Sequence, residues 1–147
     1  MFSIATDPLD VAQLAGNLPH PAGGAVVTFE GRVRNHNDGL SVTGLEYQAY
    51  LPLAHSEGLR ILREARSRMP IIDCRCAHRV GVLNVGDIAV WVGVVSAHRA
   101  DAFSACRYII DEVKKRVPIW KKEFLESGDN YWVACHQTDN PGPPPTE

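Results

Sequence analysis

The chain has 147 residues, 45% of them hydrophobic, with Lys+Arg 15 against Asp+Glu 17 and a net charge of -2 at pH 7. That size suits one globular domain with its own core, and the near-balanced charge excludes a general nucleic-acid binder, so any anion site must be a local cluster. No run of 18 apolar residues offers a membrane span, and the start MFSIATDPLD lacks the basic and apolar regions of a secretory signal.

A cytoplasmic protein is therefore expected. Its cysteines, Cys74, Cys76, Cys106 and Cys135, lack the C-x-x-C spacing of zinc or redox sites and are expected as reduced thiols.

In chain order, TDPLDVAQLAG predicts a short helix, with Thr6 or Asp7 as N-cap and Pro8 at its first position. GAVVTFEGRVRN alternates, with Val27, Phe29 and Val33 on one face and Thr28, Glu30, Arg32 and Arg34 on the other, as a half-buried strand does. HNDG is turn chemistry, and VTGLEYQAY reads as the second strand of a hairpin. Pro52 starts a helix that Pro70 stops near Met69, with Leu53, Leu59, Ile61, Leu62 and Ala65 as its apolar positions. IIDCRCAHRVG is a strand, with Cys74 and Cys76 on one face and Asp73 and Arg75 on the other. LNVGD is a turn, and IAVWVGVV, apolar on both faces, is a central strand. The period turns helical from Arg99 to Val117, and Pro118 ends it. NYWVAC is a last strand, and DNPGPPPTE is a proline-rich tail expected to lack structure. The order α-β-β-α-β-β-α-β predicts an α+β fold with a mixed or antiparallel sheet. Residues 1–139 form one domain and 140–147 the tail.

Chemistry concentrates in KKRVPIWKKEF, residues 114–124, which holds five of the 15 Lys and Arg. At 100° per residue, Ala102, Phe103, Cys106, Ile109, Ile110, Val113 and Val117 make the helix's apolar stripe, and Lys114 lies roughly 70° from its middle. Lys114 can lean into a groove, whereas Lys115 and Arg116 point to solvent, within reach of Asp111 and Glu112. Ile119 and Trp120 anchor the chain after Pro118 and bring Lys121 back towards Lys114. The same cations also suit an ordinary helix C-terminus through the macrodipole. His98 and Arg99 stand where a strand passes into a helix N-terminus, a place for an anion, and Arg34 leaves a strand into GRVRNHNDG, a possible phosphate or carboxylate clamp. His78 and Arg79 at a strand end are a weaker pair. Each of these alone also fits a surface loop. No metal-ligand spacing, Gly-rich phosphate loop or G-x-S-x-G is present, so neither metal nor cofactor is expected. What remains is a cationic site for an anionic substrate, in an enzyme or in a non-catalytic module that binds an anion or a protein tail.

The segments FEGRVRNHNDG, LEYQAY, HRVGVLNVGD, SAHRADAFSAC, IIDEVKK, PIWKKE and a terminal WV, in that order over about residues 23 to 133, resemble the large, catalytic subunit of molybdopterin synthase. The resemblance implies an α/β hammerhead with an additional β subdomain. It implies a sulfurtransferase that turns cyclic pyranopterin monophosphate into molybdopterin by installing a dithiolene. The sulfur would arrive as a thiocarboxylate on the C-terminal glycine of a small ubiquitin-like subunit. The assembly implied is a heterotetramer with a homodimer of large subunits at its centre. By position, Lys114 and Lys121 match the family's catalytic lysines. Arg34 and the His98–Arg99 pair match residues around the substrate phosphate and pterin, with Arg79 a weaker match. Gln48 stands where the family usually has an acid.

Overall fold

The computed structural model describes residues 1–134, in the order β1 (Phe2–Ala5), α1 (Val11–Gly16), β2 (Ala25–Arg32), β3 (His36–Asn37), β4 (Leu40–Ala49), α2 (Leu51–Arg68), β5 (Ile71–Arg79), β6 (Gly81–Asn84), β7 (Ile88–Ser96), α3 (Arg99–Arg116), β8 (Ile119–Leu125) and β9 (Asn130–Ala134). Cys135 and the proline-rich tail lie outside the described residues.

A strand apolar on both faces must be covered on both, and β7 sits inside a four-stranded sheet of order β1-β5-β7-β2. β1 runs parallel to β5, and the other pairs are antiparallel. The period of two sorts β7 cleanly. Val90, Val92 and Val94 join Cys74 and Cys76 in the main core under α2 and α3. Trp91 and Val95 pack the other way with Leu18 and the apolar residues of α1. Asp73 and Arg75 pair on that second face, where Arg75 also donates to the carbonyls of Leu14 and Asn17.

α2 opens with Pro52 in its first turn and buries Ala54, Gly58, Ile61, Leu62 and Ala65. A Cβ at Gly58 would stand 2.3 Å from the Phe2 ring, so the glycine is where α2 closes on β1. α3 buries Ala102, Ala105, Cys106, Ile109, Ile110 and Val113. Side chains of this kind each contribute about 1.5–3 kcal/mol when fully buried, Ala less. Val117 has extended backbone (φ -76°, ψ 124°), as a residue before proline requires, and α3 stops there.

A second, wholly antiparallel sheet forms around β4, with β8 and β6 along it and β3 and β9 at its margins. Val33, Leu45, Leu83 and Ala89 form a small core where it meets the main sheet. The α+β class with an additional β portion stands.

Several local expectations change. α1 starts at Val11, because Asp10 rather than Thr6 or Asp7 caps it by accepting from Gln13 N. β1 was not foreseen, since its partner is 74 positions downstream at Cys76. The turn at Asp38–Gly39 is real, with φ of 48° and 78°, the positive pair that a tight two-residue hairpin needs. It joins β3 to β4, however, whereas β2 pairs with β7. Leu53 and Phe103 are exposed, their places in the core taken by Ala54 and Ala105. β6 and β8 were read as turn and anchor, and both are strands. Arg116 is not solvated, because it binds Glu57, Glu64 and Glu112 at once and clamps α3 to α2. Lys122 lies over the Trp132 ring at 5.5 Å.

Candidate active site

The α3–β8 junction places the two lysines. Lys114 is in the last turn of α3. Pro118 carries the chain over into β8, whose first residue, Ile119, is 2% exposed and ties the crossing to the core. Alternation along β8 then sets Ile119, Lys121 and Glu123 on one face. Lys114 and Lys121, from a helix and a strand, line one cleft of about 310 Å³ together with Arg34, Arg32, Tyr47 and His78. Ile110, Val113, Val90 and Ile119 form its apolar surface. Arg34 follows Val33, which is 5% exposed and anchors the end of β2. Arg32 is held by Glu30 and the Gly86 carbonyl.

Lys121 Nζ lies 3.0 Å from Glu123 Oε1, and Glu123 is only 2% exposed. Asn37 Nδ2 donates to the same oxygen at 2.7 Å. A buried carboxylate needs such partners, and in return it fixes Lys121 and ties β8 to the β3–β4 hairpin. Lys114 engages no ion pair or hydrogen bond among the described residues. Its positive charge is felt at His78, whose imidazole is pushed down to about 4, first by burial and further by Lys114. His78 is therefore neutral at pH 7. Its Nδ1 donates to the Arg79 carbonyl at 2.8 Å, and the Tyr47 ring meets it edge-on at 5.0 Å.

Arg79 does not line the cleft. Its guanidinium pairs with Asp87 at 3.2 Å with 14% of the side chain exposed, a closure between β5 and the β6–β7 turn. His98 and Arg99 are exposed at the opposite end of α3, about 22 Å along the axis from Lys114 at 1.5 Å per residue. One copy of the chain does not bring them to the cleft. Gln48 is exposed and paired in register with Trp120, and it does not line the cleft. Sequence reasoning missed Arg32 and Tyr47 as cleft groups, missed Glu123 as the partner of Lys121, and passed over His78 for Arg79. Had IWKKEF been read as a strand, its alternation would have put Glu123 beside Lys121.

The arrangement offers anions a set of N–H donors and positive charge above apolar surface, with two primary amines at hand. Among the described residues no helix is long and apolar enough to cross a membrane.

The family model described as MoaE protein matches residues 4–116, which include Arg34, His98, Arg99 and Lys114. The molybdopterin synthase catalytic subunit of Thermoplasma volcanium is 45% identical over 126 residues, 86% of this chain and 90% of that protein. That of Escherichia coli is 46% identical over 116 residues, 79% and 77% of the two chains. The crystal structure of molybdopterin synthase from Staphylococcus aureus superposes with a TM-score of 0.83 at 38% identity, over 88% of this chain and 93% of that one. A chain in a Helicobacter pylori complex of subunits 1 and 2 of molybdopterin-converting factor shares the fold, with a TM-score of 0.71 at 21% identity. With lysines from two elements facing one cationic cleft, and with this much of the chain matched, the protein belongs to the MoaE family of molybdopterin synthase catalytic subunits, sulfurtransferases of molybdenum cofactor biosynthesis.

Proposed function

We propose that the cleft between α3 and β8 is where sulfur passes to cyclic pyranopterin monophosphate from a thiocarboxylate on the C-terminal glycine of a small ubiquitin-like subunit. The observation that carries this reading is the convergence of Lys114 and Lys121 on one cleft with Arg34. Both reactants are anions, and neither could approach the other without fixed positive charge between them. Arg34 suits the cyclic phosphate through its forked donors. When the thiocarboxylate sulfur attacks the substrate carbon, a C–S bond forms as the C–O bond breaks and negative charge grows on the departing oxygen; water then cleaves the resulting thioester, which returns the glycine carboxylate and leaves the sulfur on the substrate. A lysine ammonium at that oxygen stabilises the charge and can deliver the proton. Lys114, with no competing partner among the described residues, is free to follow the reacting atoms, whereas Lys121 is held by Glu123.

The same reading gives His98 and Arg99 a place only if a second copy of the chain presents them, which supports a central homodimer flanked by small subunits. The Helicobacter pylori relative is a two-subunit complex, in keeping with such a partner. A cytoplasmic setting suits its buried, unpaired thiols at Cys74, Cys76 and Cys106. The test is reconstitution. The chain, a thiocarboxylated small subunit and the cyclic pterin should yield a dithiolene product, and Arg34→Ala should raise the pterin KM. No product from the complete mixture would overturn the reading.

A further inference from the structure

The polar wall of the cleft is rich in donors and poor in acceptors. Arg32, Arg34, Lys114 and Lys121 all line it, and none of these side chains can accept a hydrogen bond. The nearest carboxylate, Glu123, is already engaged by Lys121 and Asn37, and the Tyr47 hydroxyl can act either way. His78 differs from all of these. It lines the cleft and is 7% exposed. Its Nδ1 faces the Arg79 carbonyl at 2.8 Å. A carbonyl only accepts, so Nδ1 carries the ring proton and Nε2 is left as a bare lone pair. No hydrogen bond among the described residues engages Nε2. Nor is it sealed in the interior, since among the described residues the side-chain atoms buried without a partner are Arg79 Nε and Trp91 Nε1. Nε2 therefore opens on the cleft. Tyr47, edge-on at 83°, fixes the plane of the ring. Burial and the charge of Lys114 keep the imidazole neutral at pH 7, so the Nε2 lone pair is available.

We propose that His78 Nε2 is the hydrogen-bond acceptor that orients the substrate's heterocycle by taking one of its ring N–H donors. The inference rests on the reading that this cleft receives the cyclic pterin. Such a ring system presents N–H groups at its pyrimidinone, exocyclic amine and reduced ring, and a wall of cations alone repels them. The phosphate would supply affinity through the cations. His78 would supply orientation and would disfavour anions that lack an N–H, because they leave Nε2 unpaired.

Two substitutions separate tether from acceptor. In His78→Asn the amide nitrogen can replace Nδ1 towards the Arg79 carbonyl, but nothing replaces Nε2. In His78→Gln the longer amide returns an oxygen near Nε2. Binding of cyclic pyranopterin monophosphate and of inorganic phosphate is measured by calorimetry beside thermal melting. The expected result is about tenfold weaker pterin binding for His78→Asn, the loss of roughly one hydrogen bond to a buried partner. Phosphate binding should be unchanged, and His78→Gln should recover pterin affinity to within about threefold on the same principle. Pterin binding of His78→Asn equal to wild type, or equal weakening of both ligands, overturns the inference. A further measurement needs no variant. Nitrogen NMR of labelled histidine should show the His78 Nε2 resonance move upfield when the pterin is added, and an unmoved resonance also overturns it. A Lys114→Ala control keeps the two readings apart. If it abolishes turnover while His78→Asn behaves as wild type, only the His78 inference fails. If wild type makes no product, the functional reading fails and this inference with it.

Discussion

Replacing Glu64 by Gln tests whether the last turn of α3 is held by charge. Glu64 takes two hydrogen bonds from Arg116, at 2.6 and 3.0 Å, and one from the Tyr108 hydroxyl at 2.8 Å. The Arg116 bond, then the Tyr108 bond, hold the Glu64 carboxyl down at about 2, against an ordinary value of 4.5. At 1.4 kcal/mol per tenfold, that difference corresponds to about 3 kcal/mol of preference for the folded, ionised state. The side chain is 29% exposed, so solvent screening reduces the contribution to about 1–2 kcal/mol. The sign follows from the depressed value. The folded state binds the proton less readily than the unfolded chain. The stabilisation is complete above about pH 4.5 and is lost as pH falls towards 2. Glu64→Gln should therefore lower urea-unfolding stability by about 1–2 kcal/mol at pH 7, and the deficit should shrink steadily below pH 4.5. A double-mutant cycle with Arg116→Met should assign most of that loss to the pair. A deficit of the same size at pH 7 and pH 3, or none at pH 7, would refute the charge argument.

Lys114→Ala should remove nearly all turnover while Lys115→Ala, whose side chain is 53% exposed and 3.8 Å from Glu112, keeps it; single-turnover product formation decides. Gly58→Ala should destabilise by about 1–3 kcal/mol, because the added Cβ meets the buried Phe2 ring; a rise in melting temperature, the ordinary helix gain from alanine, would show that the ring yields. His78 is neutral when folded and titrates near 4, so wild-type stability should fall by up to about 3 kcal/mol between pH 6.5 and 4, and His78→Asn should flatten that interval in urea titrations. A variant with all four cysteines replaced should still transfer sulfur stoichiometrically, since Cys74, Cys76 and Cys106 are buried and burial raises each thiol, Cys106 to about 11; a folded variant without transfer would place a thiol in the mechanism.

Local pattern carried much of the fold. The two apolar faces of IAVWVGVV announced β7, the 3.6-residue stripe announced α3, and Asp38–Gly39 announced a tight turn. Partners did not follow from pattern, because a period of two says which face is buried and nothing about which strand lies alongside. Thus β2 was assigned to the strand next in sequence, whereas it pairs with β7, from Arg32 against Ile88 to Ala25 against Ser96. Phe103 shows the limit of stripes: it falls at the edge of the apolar arc, where no element among the described residues covers it. At the site, Lys114 was legible from helix geometry. β8 was obscured because Ile119 and Trp120 after Pro118 read as an anchor rather than as the start of a strand, and with it went the side on which Glu123 lies. His78 was hidden by its neighbour, since an arginine looks the better anion ligand until Asp87 is seen to occupy it.

The pairing of cations explains how a chain of net charge -2 keeps a cationic cleft. Arg66 and Arg75 are spent on Asp73, Arg79 on Asp87, and Arg116 on Glu57, Glu64 and Glu112. Those arginines bind elements together and add little field beyond their own partners. Lys114 and Arg34 have no such partner among the described residues, and both line the cleft. Lys121 is bound, but its carboxylate lies beneath it at 2% exposure, so the amine stands between Glu123 and any ligand above. Net charge is therefore a poor guide to this surface. On the proposed reading the cleft attracts a phosphate or a carboxylate tail because Asp73, Asp87, Glu57, Glu64 and Glu112 are drawn onto other cations, and a substitution that freed one of those acids near α3, such as Arg116→Met, should weaken anion binding without touching the cleft itself.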